Sequence, residues 1–417
     1  MADEGQGGVG AASRVATAKL DGDALVLCLP RLSIAVVVDR ADLRSELLST
    51  FSGLAGNGPA DERWVVKQDD EAWSVTAPGK AIDGRRSVST ASLVGRLQTE
   101  LNNLVTSTSC AAGDVLLHAG TLMLDSRTVL LVGTSGAGKT TLTATLVDGG
   151  ARYLSDEFAV LEPGARLVRS YTKPLTVKQG AREAVARLGL FADSTELHES
   201  EPGLRYVPVP AERVVFEAPW PSLLVLLDAD PEVEPGWLHP AEVLIALAEH
   251  SPCREQTTEQ FPRLADLARE VRAYQLPRDE PARMAATVHE LLTDLDRPDG
   301  SDGSPVDRGT AHGGRCVEGA EVSEAGGRPG SGERLERAAA VLTEDFGDAT
   351  VLYDPHADRL HLLNAAGRAL WFACNGQHSA DELVSSRSRL GFDAADVQQA
   401  LAVFRREGLL ADASTVD

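Results

Sequence analysis

The pattern of apolar and polar positions changes character several times along the chain. Between residues 15 and 77, short apolar runs alternate with turn residues, which predicts short strands. Residues 89–104 then carry leucines three or four positions apart, a spacing typical of an amphipathic helix: Leu93, Leu97, Leu101 and Leu104. We interpret residues 14–110 as a small α+β segment that packs on the domain following it.

A second region, residues 111–296, alternates strand and helix patterns. Apolar runs at 116–124 and 128–132 predict two strands, and a glycine-punctuated loop leads from the second into a helix that stops at Gly149. The further predicted elements are a strand, an acidic kink and a strand over 153–161, strands at 166–169 and 222–228, and helices at 240–250, 258–272 and 282–295. This alternation predicts an α/β domain.

The composition changes sharply near residue 297. Residues 297–333 consist mainly of Gly, Ser, Asp, Glu, Arg and Pro and cannot bury enough apolar surface to fold, so they are predicted to form a flexible linker. Residues 334–412 are predicted to be globular again, and residues 1–13 to be disordered. The elements predicted in the C-terminal region are a hairpin over 350–364 and helices over 365–374, 379–390 and 394–407. Asn364 is placed to cap the first helix.

Charge and cysteine content exclude several classes of function. A formal charge of −22 and a pI of about 4.8 argue against a nucleic-acid partner and against an anionic membrane surface. The sequence has no run of 18 apolar residues, so no membrane-spanning helix is predicted. The cysteines are scattered and include no C-x-x-C pair: Cys28, Cys110, Cys253, Cys316 and Cys374. We therefore predict reduced thiols in a cytoplasmic protein.

The loop after the 128–132 strand fits the phosphate-loop pattern G-x-x-x-x-G-K-T. Its glycines let backbone N–H groups converge on phosphate oxygens, and the following helix turns its positive dipole end towards the same anion. Lys139 adds a mobile positive charge, and the Thr140 hydroxyl can ligate magnesium. The predicted nucleotide-binding residues are Gly133, Thr134, Ser135, Gly136, Ala137, Gly138, Lys139, Thr140 and Thr141. The sequence therefore predicts a site for ATP and Mg²⁺.

Two acidic residues and a histidine flank this loop in the sequence. Asp156 and Glu157 lie on the strand that follows the loop helix. At a kink in that strand, one carboxylate can contact the metal while its neighbour contacts an incoming hydroxyl. By themselves the two residues also fit a solvated acidic turn, and His118 also fits a neutral histidine packed in a strand.

In combination, these features resemble the bacterial HPr serine kinase/phosphorylase group and its HPr-kinase-related relatives. That family has a histidine in an L-H-x-x strand, a short hairpin, a phosphate loop ending G-K-[ST] and an acidic pair about fifteen residues later. Here the four features occur in the same order between residues 117 and 161. The resemblance covers residues 90–296 approximately and implies a P-loop kinase core of the phosphoenolpyruvate-carboxykinase-like type.

The same resemblance implies roles for individual side chains. Asp156 is the catalytic base and Lys139 holds the β and γ phosphates. Glu157 and Thr140, together with Asp156, ligate the magnesium ion, and His118 lies near the transferring phosphate. Since HPr kinases form rings, the analogy also leaves room for a homo-oligomer.

The chain differs from that family in two ways. Thr141 occupies the position where HPr kinases usually carry a glutamate, and we find no counterpart of their C-terminal segment implicated in phosphorolysis. We therefore do not expect HPr as the substrate. Residues 171–175 and Lys178 resemble the K-P stretch of HPr-kinase-related proteins. Lys173 and Arg205 are candidates for extra positive charge on the phosphates, or else for a surface role.

The C-terminal region resembles the PqqD family, in which strand-L-N-x-x-G-x-x-x-W precedes a D/N-G turn and a final helix closes with G-L-L. The matching residues are Leu363, Asn364, Gly367, Trp371, Asn375, Gly376, Gly408, Leu409 and Leu410. PqqD-like domains are small winged-helix elements that bind the leader of a precursor peptide as an added strand. The peptide-binding residues implied are Arg359, Leu360, His361, Leu362, Leu363, Val397, Leu401 and Phe404. The alternative is a DNA-binding winged helix, which the missing cluster of Arg and Lys disfavours.

These resemblances lead to one predicted function and two alternatives. The predicted function is an ATP-dependent kinase that phosphorylates a Ser or Thr hydroxyl of a ribosomally synthesised precursor peptide, captured through its leader by the C-terminal domain. Tethering raises the effective concentration of the acceptor. One alternative is a P-loop NTPase that carries the precursor without modifying it. The other is a regulatory protein serine kinase whose C-terminal domain is a sensor.

Overall fold

The computed structural model describes residues 24–69, 72–78, 80–81, 89–191, 199–201, 204–253, 257–295, 334–386 and 393–411. The predicted disordered residues 1–13, the predicted linker 297–333 and Cys316 lie outside these ranges. The chain divides into two compact units, the first formed by Met1–Gly236, His250–Cys253 and Tyr274–Pro298, and the second by Trp237–Glu249, Arg254–Ala273 and Asp299–Asp417. Most of the segment 237–273, predicted as part of the kinase domain, thus groups with the C-terminal residues.

The first unit starts with a five-stranded sheet whose strands follow one another in sequence order. Its elements are β1 (Ala24–Cys28), β2 (Ser33–Val38), α1 (Ala41–Thr50), β3 (Glu62–Asp69), β4 (Ala72–Ala77) and β5 (Lys80–Ala81). Strands β2 and β3 are parallel and α1 connects them, while the other neighbours are antiparallel. Sequence reasoning missed α1 because Leu43, Leu47 and Thr50 are its only buried residues, which leaves a weak apolar stripe.

Helix α2 (Thr90–Ala111) confirms the helix predicted from the leucine spacing and continues past it. The Ser92 N–H group donates to Ser89 Oγ at 3.1 Å, so a side chain caps its start. The buried leucines of α2 join the five-stranded sheet in one hydrophobic core. Strands and helix of this region therefore form a common α+β structure.

The central sheet follows. The helices and strands up to residue 295 are β6 (Val115–Leu124), β7 (Arg127–Gly133), α3 (Lys139–Asp148), β8 (Arg152–Ser155), β9 (Phe158–Glu162), β10 (Leu167–Arg169), β11 (Leu175–Lys178), α4 (Arg182–Ala186), β12 (Glu199–Glu201), β13 (Leu204–Val207), β14 (Glu217–Pro219), β15 (Pro221–Asp228), β16 (Gly236–Trp237), α5 (Pro240–Glu249), α6 (Thr257–Glu270), β17 (Arg272–Pro277) and α7 (Pro281–Asp294). In the sheet, the order runs β14-β10-β9-β6-β7-β15, and β8 also pairs with β6. Strands β6 and β7 form an antiparallel hairpin, while β7 and β15 are parallel. This confirms the predicted α/β character.

Several elements of this region were not predicted, among them a small sheet and a short helix. Strands β11, β13 and β12 form a separate three-stranded sheet, and α4 follows β11. These strands have three or four residues each, and β11 ends in an exposed lysine. Such short segments carry too little apolar alternation to be distinguished from loops.

The C-terminal part of the second unit contains the predicted hairpin and the three predicted helices. Its elements are β18 (Arg334–Glu336), β19 (Leu342–Asp345), β20 (Thr350–Asp354), β21 (Arg359–Leu363), α8 (Ala365–Ala373), β22 (Asn375–Ser379), α9 (Ala380–Ser385) and α10 (Ala394–Arg406). The Gly367 N–H group donates to Asn364 Oδ1 at 2.9 Å, which confirms the predicted cap of α8. The winged-helix identity of these elements stays a prediction.

Aromatic contacts organise the second unit. The rings of Trp371 and Phe404, both fully buried, meet edge to face with centroids 5.6 Å apart. Helix α6 also packs on the β19-β20-β21 sheet, since Phe261 lies 5.5 Å from the Tyr353 ring. The segment 257–270 therefore contributes to the same unit as the C-terminal sheet.

A disulfide joins Cys110 at the end of α2 to Cys253. The prediction of reduced thiols was wrong for this pair, whereas Cys28 and Cys374 are free. The two partners are 143 residues apart in sequence, and their spacing carries no signal that the fold would bring them together. The expected cytoplasmic localisation loses this support and stays a prediction. None of the helices in the described ranges combines the length and apolar character that a bilayer crossing requires.

Candidate functional site

The phosphate loop has the predicted strand, loop and helix context. Strand β7 ends at Gly133, the tip of the loop from Thr134 to Gly136 is exposed, and α3 starts at Lys139. Gly138 precedes the helix with a φ of 103°, a left-handed conformation that favours glycine. At Gly133 a Cβ atom would lie 2.5 Å from the carbonyl oxygen of Leu227 on β15, so the close strand packing also requires glycine.

The side chain of Lys139 points back into this loop. Its Nζ donates to the carbonyl oxygens of Gly133 at 2.5 Å and Thr134 at 3.2 Å. Burial lowers the pKa of Lys139, while the nearby charges of Glu157 and Asp156 act in the opposite direction. The lysine thus lies within electrostatic reach of both acidic residues.

The acidic pair occupies the predicted kink between β8 and β9. Strand β8 pairs with residues 121–123 of β6, and β9 with residues 115–118, so Asp156 and Glu157 lie at the break between the two pairings. Ser155 shapes the break, because its Oγ accepts from the N–H groups of Glu157 at 3.1 Å and Phe158 at 3.0 Å. The ladder still continues through Glu157 O, which accepts from Ala119 N at 3.1 Å.

Strand register places this kink beside the phosphate loop. Ala119 on β6 contacts the kink and pairs with Val132 on β7, the residue before Gly133. Two strand spacings separate the kink from β7, which corresponds to about 10 Å between backbones. Side chains from both positions can therefore meet at one bound phosphate group.

The Asp156 carboxylate is almost completely buried and makes several contacts. Its Oδ1 lies 2.7 Å from Lys173 Nζ and accepts from the Tyr153 hydroxyl at 3.1 Å. Its Oδ2 accepts from the Thr176 N–H group at 3.1 Å. Burial, and then the charge of Asp156, raise the pKa of Tyr153 well above its usual value, so this hydroxyl keeps its proton. Both carboxylate oxygens of Asp156 are consequently held in place.

Glu157 and His118 form the more open side of the site. The Glu157 side chain is 23% exposed, and its Oε1 lies 3.6 Å from His118 Nδ1. Burial lowers the pKa of His118 despite the opposing effect of Glu157, so the imidazole is mainly neutral near pH 7. The structure thus brings together the predicted residues His118, Asp156 and Glu157.

Two lysines from the K-P stretch have positions that the sequence did not specify. Lys173 is not a surface residue, because its side chain is 0% exposed. Its ammonium group pairs with Asp156 and does not extend over the phosphate loop. Burial alone would lower the pKa of Lys173, but the charges of Asp156 and Glu157 raise it, so the ammonium form persists. Lys178 on β11 donates to Ser135 Oγ at 2.6 Å and therefore reaches the phosphate loop.

Arg205, the second cation considered for the phosphates, lies on β13. With Arg182 and apolar residues of β11 and α4 it lines a surface cleft. This position does not test the prediction that Arg205 contacts the phosphates of the nucleotide.

The predicted peptide-binding residues lie on β21 and α10. Among the described strands, β21 is at the edge of the β19-β20-β21 sheet, beside β20 only. Val397, Leu401 and Phe404 of α10 are buried in the core of this unit together with Leu363. His361 is also buried, and burial lowers its pKa. These residues thus share one region, in which one backbone edge of β21 is not paired with a described strand.

Acid should destabilise the first unit through the imidazole of His250. The backbone carbonyl oxygen of this residue accepts from the backbone N–H group of His118 at 2.8 Å. Burial, followed by the charges of Lys139 and His118, lowers the pKa of His250 from 6.5 to about 4. The unfolded chain therefore takes up a proton at higher pH than the folded chain, and stability is lost as pH falls from 6.5 towards 4. We expect the melting temperature to fall over this interval, and to fall less in His250→Gln. Equal pH dependence of the two proteins would contradict this assignment.

Comparison with known proteins finds similarity among solved structures only. No protein-family model matches the chain, and no curated protein matches its sequence. Among solved structures, the chain is similar to the HPr(Ser) kinase/phosphatase from Coxiella burnetii, with a TM-score of 0.27 and 14% sequence identity over 44% of this chain and 99% of that chain.

Proposed function

We propose that this chain is an ATP-dependent kinase that phosphorylates a Ser or Thr hydroxyl of a ribosomally synthesised precursor peptide. The observation that carries the proposal is the convergence of Lys139 with the Asp156–Glu157 pair across two strand spacings. Phosphoryl transfer needs positive charge on the phosphates and a carboxylate close to the attacking hydroxyl. A phosphate loop without such a pair would fit nucleotide binding alone.

The loop supports a triphosphate. At Gly136 and Gly138 nothing lies within 4 Å of a Cβ position, so open space adjoins the loop at both glycines. The N–H groups at the start of α3 and the ammonium groups of Lys139 and Lys178 supply the positive character that an anion needs. ATP is the nucleotide that we propose.

Two side chains near the phosphate loop are suitable ligands for a magnesium ion. Among the described residues, no cluster of three or more His, Cys, Asp and Glu side chains could hold a metal ion by itself. Magnesium is usually bound by one or two carboxylates together with substrate phosphates and water. Glu157, which is partly exposed, and the Thr140 hydroxyl would hold it, with Asp156 as a further candidate. A bound Mg²⁺ would neutralise charge on the phosphate oxygens.

The proton of the acceptor hydroxyl passes to the acidic pair in this proposal. We assign Asp156 as the base, with His118 close to the transferred group. Asp156 Oδ1 already contacts Lys173 and Tyr153, and Oδ2 accepts one bond from the Thr176 N–H group, so Oδ2 is the oxygen with capacity for the acceptor hydroxyl; Glu157 is more exposed than Asp156. The roles of the two carboxylates can be distinguished experimentally by the single substitutions Asp156→Asn and Glu157→Gln.

Substrate capture is assigned to the C-terminal domain. We propose a PqqD-like element in which a leader peptide adds a strand to β21 and lies along α10. An edge strand offers unpaired N–H and C=O groups, which suit a short linear peptide. Leu362→Asp on β21 should weaken leader binding without changing ATP turnover in the absence of peptide. Thr76→Asp, at an exposed neutral position on β4, changes the charge by the same amount and is the matched control.

The whole proposal is tested by incubating the protein with MgATP and a candidate precursor, a short Ser- or Thr-containing peptide from an open reading frame adjacent to its gene. The precursor should gain one phosphate, detected as a mass shift and located on a Ser or Thr by fragmentation. Removing the leader should raise the apparent KM for the precursor rather than lower kcat. A precursor that keeps its mass while ATP is consumed would exclude kinase activity on it.

One observation favours a second function, a precursor-carrying NTPase without kinase activity. Both oxygens of Asp156 already have partners, namely Lys173 and Tyr153 on Oδ1 and the Thr176 N–H group on Oδ2, which restricts the access of an acceptor hydroxyl to the assigned base. Such a protein would hydrolyse ATP faster when the leader is present and release the precursor unmodified. The same mass measurement distinguishes the two functions.

A further inference from the structure

Lys173 is buried behind the acidic pair and contacts both of its members. Its Nζ lies 2.7 Å from Asp156 Oδ1 and 3.4 Å from Glu157 Oε2. It also donates to the Pro174 carbonyl oxygen at 3.1 Å and to Thr176 Oγ1 at 2.9 Å. A lysine is seldom fully buried unless it is paired, and here the ammonium group contacts two carboxylates, a carbonyl oxygen and a hydroxyl.

The chain entering Lys173 is attached to the N-terminal α+β structure through Tyr171. The Tyr171 hydroxyl donates to Asn102 Oδ1 at 2.8 Å and accepts from Gln98 Nε2 at 3.0 Å, and both partners belong to α2. The Tyr171 ring stacks on Phe158, the first residue after the acidic pair, with centroids 6.1 Å apart. A tyrosine thus connects α2 to the kink.

The next residue, Thr172, is attached to the turn after α1. Its Oγ1 donates to the Gly53 carbonyl oxygen at 2.6 Å. A Cβ atom on Gly53 would lie 2.3 Å from the carbonyl oxygen of Thr172, closer than any side chain tolerates. On the other side, the Tyr153 hydroxyl lies 2.9 Å from the carbonyl oxygen of Lys173. The strap formed by residues 171–173 is therefore fixed at each residue.

We propose that Lys173 is a positioning residue for phosphoryl transfer, and that the N-terminal α+β structure sets its position through the strap 171–173. This inference rests on the proposed kinase function. The ammonium group holds Asp156 Oδ1 and reduces the repulsion between two adjacent carboxylates, which would otherwise move apart or take up a proton. Lys173 acts through the acidic pair and not on the nucleotide. The N-terminal structure, for which the sequence indicates no chemistry, thereby gains a role in catalysis.

The test measures ADP release from MgATP by the full chain, with and without the precursor peptide. Lys173→Met removes the charge and keeps most of the side-chain volume. We expect kcat to fall about 100-fold, the loss typical of displaced catalytic groups, while the KM for ATP changes by less than about threefold. Lys173→Arg, which restores a positive charge, should recover part of the lost kcat. Lys67→Met, an exposed lysine on β3, should leave both constants unchanged.

The possible results separate the inference from the function on which it rests. An active wild-type protein whose Lys173→Met variant keeps kcat within about twofold would overturn the positioning role, while the mass measurement on the precursor decides the kinase proposal separately. A wild-type protein that binds MgATP and releases no ADP in either condition would overturn both. A fall in affinity for ATP equal to the fall in turnover would assign Lys173 to general structural support instead.

A second variant covers the case in which Lys173→Met does not fold. Tyr171→Phe keeps Lys173 and the ring stack but removes the hydroxyl that contacts Gln98 and Asn102. We expect a smaller decrease in kcat, about tenfold, with the KM for ATP unchanged. Thr99→Val, an exposed position on the same helix, is the control. Unchanged kcat in Tyr171→Phe would remove the N-terminal structure from the catalytic arrangement.

Discussion

Replacing Lys139 by alanine should lower ATP turnover by at least about 100-fold, the loss expected when a positioned charge or donor is removed from a phosphate site. The ammonium group lies at the loop in contact with the Gly133 and Thr134 carbonyl oxygens, and it is only 7% exposed. A bound triphosphate would replace those carbonyl contacts with phosphate oxygens. ADP release measures the loss of turnover, and equilibrium binding of a fluorescent ATP analogue measures the loss of nucleotide affinity.

Alanine variants of two further lysines serve as comparisons for Lys139→Ala. Lys178→Ala removes a more exposed cation that reaches the loop through Ser135, so its effect should be smaller. Lys67→Ala, on the N-terminal sheet, should have no effect. Full turnover in Lys139→Ala would end the assignment of residues 133–141 as a catalytic phosphate loop.

Asp156→Asn and Glu157→Gln should both reduce phosphoryl transfer, but they should differ in their effect on stability. General base catalysis contributes about 100- to 10,000-fold, so loss of the base should lower kcat in that range. Asp156→Asn also leaves the buried ammonium of Lys173 without its closest counter-charge, so its melting temperature should fall. Glu157 is 23% exposed, and Glu157→Gln should melt close to the wild-type temperature. Phosphate transfer and thermal unfolding of the two variants, measured side by side, test this expectation.

The comparison also identifies the base. Normal phosphorylation by Asp156→Asn would show that Asp156 does not accept the proton. In that case a large loss in Glu157→Gln, without loss of stability, would transfer the role to Glu157 beside His118. A normal melting temperature in Asp156→Asn would contradict the ion pair with Lys173 that the structure contains.

The buried pair of Asp156 and Lys173 is connected to the N-terminal structure through the strap 171–173. An ion pair removed from water is favourable only when its geometry is maintained by further hydrogen bonds. Here Tyr153, Thr176 and Pro174 supply such bonds, and the strap fixes the lysine backbone. The contacts of α2 and of the turn at Gly53 are therefore linked to the charge state of the proposed active site.

The sequence alone determined the features that depend on residues a few positions apart. The 128–132 apolar run, the glycines that follow and the helix from Lys139 all appear as predicted, because strand alternation, turn chemistry and helical spacing are local properties. The kink at Asp156 and the C-terminal hairpin with its three helices were predicted for the same reason.

Only the tertiary structure decided how distant segments combine. It paired Cys110 with Cys253, placed Lys173 under the acidic pair and grouped α6 with the C-terminal sheet. The pattern around Lys173 is equally compatible with a surface lysine and with a buried one, since the difference depends on Gly53 and α2, which lie far away in the sequence. Local patterns specify which surface an element can bury, whereas the partner for that surface is selected by packing across the whole chain.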